Sequence, residues 1–89
     1  MNHVSGEKKG EVVLYALSTC IWCKRTKNVL NKLGVDYTFV DLDLLDHEEQ
    51  VKALSRLATL NPSLSLPTLI INEDVIIGDD EERIYELLA

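Results

Sequence analysis

The sequence predicts an α/β fold with the element order β-α-β-α-β-β-α and a four-stranded mixed sheet flanked by helices. Three observations carry this expectation. Short runs rich in β-branched and aromatic residues alternate with stretches of helical periodicity through the first two thirds of the chain. Two apolar runs around Asn72-Glu73-Asp74 then read as a hairpin, and a last segment of helical spacing closes the sequence. Strands joined through a helix run parallel by a right-handed crossover and hairpin strands run antiparallel, so the sheet is mixed.

The elements follow in order. Residues 1–10 carry two glycines and two lysines without an apolar period and read as a flexible tail, leaving 11–89 as the folded domain. EVVLYAL (11–17) has the composition and length of a buried strand and stops at Ser18-Thr19. Good helix formers run from Ile21 to Leu33, with Val29, Leu30 and Leu33 on one face and Gly34 where a C-terminal cap belongs. VDYTFVDLD (35–43) is a second strand. Asp46 followed by Glu49 resembles a capping box, opening a helix whose apolar face is expected at Val51, Leu54, Leu57 and Ala58; Asn61-Pro62 ends it. Thr68–Ile71 and Val75–Ile77 form the hairpin, and Asp79 or Asp80 caps a final helix burying Ile84, Leu87 and Leu88.

Composition narrows the function. A chain of 89 residues, 46% hydrophobic and 27% charged, is one domain with a core of its own, which excludes disordered and fibrous classes. A net charge of -6 lacks the basic footprint that nucleic acid or an anionic membrane would require, so neither is expected as a partner. The opening MNHVSGEKKG has no apolar core of a secretory signal, and no run is long enough to span a bilayer. A cytoplasmic location is the expectation, and in that reducing compartment a structural disulfide is disfavoured.

Both cysteines of the chain lie in STCIWCKR (18–25), at the junction of the first strand and the first helix. Such a pair serves as half of a metal site, as a crosslink or as a reactive dithiol. At the first turn of a helix, Cys20 meets unpaired backbone N–H groups and the positive end of the helix dipole, and Lys24, Arg25 and Lys27 follow at once in an otherwise acidic chain. These features favour thiolate over thiol and make Cys20 the nucleophile. Cys23, one turn further in, is placed to resolve a mixed disulfide by closing a ring with Cys20. A zinc site needs two further ligands, for which only His3 and His47 offer nitrogen, and there is no second CxxC, so no metal is expected.

With CIWC opening a helix after a strand, SLPT before an apolar strand, and VIIGDDEE leading into the last helix, the chain resembles the dithiol glutaredoxins of the thioredoxin-like fold over most of 11–89. The resemblance implies that Pro67 is in cis and that the backbone of Leu66 pairs with an incoming thiol or peptide; the alternative is a trans proline that merely starts a strand. It also implies substrate contacts at Trp22, Lys24, Gly78, Asp79 and Asp80. Trp22 reads either as an exposed wall for substrate or as core, Lys24 as a carboxylate anchor or a solvated charge, and Asp80 as a ligand or a helix cap. Arg56 on the second helix is a further residue that could reach the site. The chain departs from the family pattern at Ile21-Trp22, where Pro-Tyr is common, at Leu17, where a lysine is common, and at Asp79, which replaces the second glycine of a Gly-Gly turn.

The resemblance implies an enzyme: a thiol-disulfide oxidoreductase acting on disulfide-containing proteins or mixed disulfides through Cys20 and Cys23, monomeric and needing no bound cofactor. Electrons would come from glutathione or another low-molecular-weight thiol as co-substrate. Two alternatives accompany it: an electron donor, for example to ribonucleotide reductase, recharged by a thioredoxin-type reductase, and a [2Fe–2S] carrier in which two copies share a cluster with two thiols.

Overall fold

The structure, a computed structural model, describes residues 2–89. Five strands and three helices follow one another as β1 (Asn2–Val4), β2 (Val12–Ala16), α1 (Ile21–Leu33), β3 (Tyr37–Asp41), a short 3-10 turn (Leu42–Leu44), α2 (His47–Leu60), β4 (Thr68–Ile71), β5 (Asp74–Ile77) and α3 (Glu81–Leu88). The sheet order is β1-β3-β2-β4-β5. β2 and β3 run parallel across α1, whereas β2–β4 and β4–β5 are antiparallel, as the crossover and hairpin patterns require. This is the thioredoxin-like arrangement. Among the described residues, no helix is long and apolar enough to cross a membrane.

The sheet has five strands rather than the four expected. The additional one comes from the N-terminal stretch, whose Asn2, His3 and Val4 lie antiparallel against Phe39, Thr38 and Tyr37; Met1 of the expected tail lies outside the described residues. Three residues of mixed polarity carry no strand period, so the pairing rests on tertiary contacts. Val4 packs on the core, His3 donates to the Asp36 carboxylate at 2.8 Å, and the Gly6 amide donates to the same carboxylate at 3.2 Å. Glu7 then bonds to both sides of Val35, its amide to Gly34 O and its carbonyl to the Asp36 amide. Gly6 is required for this approach, because a Cβ there would sit 2.5 Å from Gly34 O.

The period-2 pattern of the strands divides the core. Val12, Leu14 and Ala16 of β2 face α1 and α3 in a cluster with Cys23, Leu30, Leu69 and Ile84. Tyr15 and Val40 face the other way, onto Leu42 and Leu57. Among the described residues, α2 covers that second face together with Leu42 and Leu45. Its contact stripe is Ala53, Leu54, Leu57 and Leu60, and the expected Val51 and Ala58 are exposed, because the helix rolls to bring its last turn onto Tyr15 and Ile70.

The helix ends are set by local chemistry. Asp46 accepts from the Glu49 amide, Asp80 from the Arg83 amide, and Gly34 closes α1 at φ 68, bonding back to Asn31 O. α3 buries Ile84 and Leu88 against the first cluster.

The His3 hydrogen bond is the first of the contacts that hold the Asp36 carboxyl below the usual range. Its contribution is therefore present above about pH 3.9 and is lost as pH falls further. Asp36→Asn is expected to lower the melting temperature at pH 7, with the gap from the unsubstituted protein narrowing in thermal melts as the pH is taken below about 3.9.

Candidate active site

β2 delivers the chain to the first turn of α1 through Leu17-Ser18-Thr19. The Cys20 amide folds back on Leu17 O at 3.2 Å, and Ser18 is fastened by Asp43, whose carboxylate accepts from the Ser18 amide at 2.9 Å and from its hydroxyl. These bonds hold the Asp43 carboxyl below its ordinary range, the Ser18 hydroxyl contributing most. Cys20 is the N-cap of α1, with extended backbone at φ −83 and ψ 118. Its sulfur accepts the Cys23 amide at 3.3 Å, the bond a capping serine oxygen would take. A donor aimed at the sulfur and the positive helix end behind it stabilise negative charge there.

The two cysteines are free and differ in environment. Cys20 is partly exposed, whereas Cys23 is 0% exposed inside the α1/α3 cluster. Burial foremost, then the hydrogen bond with Cys20, push the Cys23 thiol up to about 12. One sulfur is thus presented to solvent and the other is kept protonated beneath it.

A cleft of about 320 Å³ beside α1 is lined by Trp22, Leu66, Pro67, Gly78 and Asp79, five of the seven residues expected around substrate. Trp22 is 50% exposed and forms a wall rather than core. The Leu66–Pro67 peptide is cis, and the Gly78 amide donates to Pro67 O at 2.8 Å. Among the described residues, the Leu66 amide and carbonyl take part in no turn, loop or side-chain hydrogen bond, and Leu66 and Cys20 pack on the same cluster. Lys24 is exposed and does not line the cleft, and the Asp80 carboxylate is engaged as the cap of α3. Arg56 lies on a larger concavity of about 760 Å³, at the opposite end of β2 with Val13, Thr38 and Ile70, remote from the cysteines in the fold.

Two contributors are not apparent from the sequence pattern. Arg25 stacks its guanidinium 4.7 Å from the Trp22 ring centre and reaches 3.9 Å from the Asp79 carboxylate, spanning the cleft wall. The signal was its i+3 spacing from Trp22 on a helix. Asn61, 2% exposed, donates to Ser65 O, Ser65 Oγ and Thr68 Oγ1, and accepts from the Ser63 amide and hydroxyl, so one buried side chain shapes the loop that carries Leu66 and Pro67.

The Glutaredoxin family model matches residues 12–76, which contain both cysteines and the cis-proline loop. The chain belongs to the glutaredoxin family. Methanoredoxin of Methanosarcina acetivorans is 48% identical over 100% of this chain and 95% of its own, with a TM-score of 0.94. A glutaredoxin of Methanosarcina mazei Go1 is 48% identical over 99% of this chain and 86% of its own, with a TM-score of 0.91. An uncharacterized glutaredoxin-like 8.6 kDa protein in the rubredoxin operon of Clostridium pasteurianum is 29% identical over 86% of this chain and 96% of its own.

The departures from the usual glutaredoxin pattern have local explanations. Leu17, in the place of a lysine, packs on the Tyr15 and Leu57 cluster. The glutaredoxin turn after β5 needs left-handed backbone only at Gly78, φ 84, and Asp79 is not among the residues of positive φ.

Asn61→Ala is expected to cost about 2 kcal/mol by removing the hydrogen bonds that tie Ser63, Ser65 and Thr68 together. It should also lower turnover of a mixed disulfide more than it lowers iodoacetamide alkylation of Cys20, because it loosens the cleft wall and leaves the helix start intact.

Proposed function

We propose that this glutaredoxin-family chain is a dithiol thiol-disulfide oxidoreductase that reduces disulfides in proteins, or mixed disulfides, in the cytoplasm. The observation that carries the reading is the asymmetry of the pair: Cys20 is partly exposed with an amide donor at 3.3 Å, and Cys23 is buried one turn below. The Cys20 thiolate attacks one sulfur of the substrate disulfide, and the other leaves with the electron pair and takes a proton. Cys23 then loses its proton and attacks the Cys20 sulfur, releasing the second substrate thiol and leaving a Cys20–Cys23 disulfide. Two molecules of a low-molecular-weight thiol such as glutathione return the two electrons, ending as their own disulfide. The Leu66 backbone is available to pair with the extended segment of the incoming molecule, opposite the Trp22 wall. No tightly bound cofactor takes part, and the protein acts as a monomer.

A second reading is favoured by three positions around the cleft. Asp79 is turned toward Arg25, Asp80 caps a helix, and Leu17 carries no charge, so none of these three positions offers a free charged group to glutathione. On that reading a thioredoxin-type reductase recharges the dithiol, and the reduced protein serves as a donor to an enzyme such as ribonucleotide reductase.

Cys20→Ser is expected to abolish disulfide reduction, and Cys23→Ser to accumulate mixed disulfides seen as a mass increase in intact-protein spectra. Full activity in Cys20→Ser would overturn the assignment. Turnover of a small mixed disulfide with glutathione alone, set against turnover with a thioredoxin-type reductase, separates the two donors: sustained glutathione turnover supports the first reading, and turnover with the reductase alone supports the second.

A further inference from the structure

The resolving step meets an electrostatic obstacle that the nucleophilic step does not. Cys23 must lose its proton among Leu14, Ala16, Leu30 and Ile84, where burial disfavours the thiolate. In the mixed disulfide Cys20 no longer carries charge, so its opposition to a Cys23 thiolate is removed, but the burial remains. The Leu17 backbone favours the anion, and beyond it what can do so is a neighbouring cation.

The charged groups around Cys23 are few. On α1, Lys24 is exposed and Arg25 lies over Trp22 toward Asp79. From the 3-10 turn comes Asp43, fastened to Ser18, and from β3 comes Asp41; β2 and α3 offer Leu14, Ala16, Ile84 and Leu88. Lys27 remains. It stands one helical turn beyond Cys23 on the same side of α1. Its side chain is 20% exposed, and its Nζ lies 2.9 Å from Asp41 Oδ1 and 4.3 Å from the Phe39 ring centre. A lysine with no task but solvation would extend into water, as Lys24 does. This ammonium is instead folded inward and fixed on two sides.

We propose that Lys27, held by Asp41 and Phe39, is a positioning residue for the resolving step, its fixed charge favouring the Cys23 thiolate while Cys20 is bound to substrate. The inference rests on the dithiol reading above. In the step, the Cys23 proton passes to water, its sulfur bonds to Cys20 Sγ, and the substrate sulfur leaves as a thiolate with the electron pair. Lys27 stays protonated throughout.

Stopped-flow reaction of the reduced protein with 5,5′-dithiobis(2-nitrobenzoate) reads both steps. Cys20 releases the first thionitrobenzoate in a phase that scales with reagent concentration, and Cys23 releases the second in a phase that does not. Lys27→Gln is expected to slow the second phase between pH 6 and 9 by more than it slows the first. Each unit by which Cys23 titration rises removes about tenfold of thiolate and restores about threefold in nucleophilicity, a net slowing of about threefold. Lys27→Arg keeps the second phase fast. Asp41→Asn removes the competing negative charge but keeps a side-chain oxygen to which the ammonium can donate, so the second phase is as fast or faster. A merely structural ion pair would make Lys27→Gln and Asp41→Asn slow alike, and that result, or no slowing in Lys27→Gln, overturns the proposal. Should Lys27→Gln fail to fold, a slower second phase in Asp41→Asn overturns it by itself. Absence of any second phase in the unsubstituted protein would instead refute the dithiol reading.

Discussion

The bond from the Cys23 amide to the Cys20 sulfur is the contact around which the candidate site is arranged. It requires that Cys20 be non-helical and that α1 begin at the next residue, and the chain meets that requirement by ending β2 at Ala16 and fastening Ser18 to Asp43. The same turn that gives Cys20 a donor drives Cys23 into the hydrophobic cluster. Reactivity in one sulfur and concealment of the other are therefore two results of a single backbone choice, a helix start placed at the end of a central strand.

The second half of the site is organised by polar contacts as well as by apolar packing. Leu66 and Pro67 sit on a loop between α2 and β4 whose shape is imposed by Asn61, and Gly78 joins that loop from the far side through Pro67 O. Leu64 within it adopts φ 57, an uncommon conformation for a branched side chain, which the Asn61 and Ser63 hydrogen bonds surround. A buried polar network of this kind specifies one loop geometry because each unmade bond is costly in a medium of low polarity. The wall is completed from α1 by Trp22 and Arg25, so strand, loop and helix meet at the cleft.

Much of this was legible in the sequence because it is locally encoded. The bounds of α1, the Asp46 and Asp80 caps and the Gly34 stop each follow from a residue whose chemistry acts on its own backbone neighbours. The cysteine pair was legible through its spacing, and the Pro67 loop through the resemblance to the glutaredoxin family. What was not legible depends on partners distant in sequence: β1 forms because β3 offers it an edge, the roll of α2 follows from Tyr15 and Ile70, and the work of Asn61 is done in a loop that reads as a mere helix stop. Asp80 had two readings, and the hydrogen bond from Arg83 shows the capping one in the fold.

The short N-terminal strand also bears on how the molecule behaves in a crowd. Without Asn2–Val4, β3 would present an open row of amides and carbonyls at the sheet margin, a template on which another chain could align. Covering it with three residues that include a histidine leaves a margin too short and too polar to propagate. At the other margin β5 is four residues long and opens with Asp74, whose charge is shared with Arg83. A protein whose proposed work is to let extended segments of other molecules approach Leu66 thus keeps both margins of its own sheet unattractive to them, and confines strand-like association to the place where a sulfur is waiting.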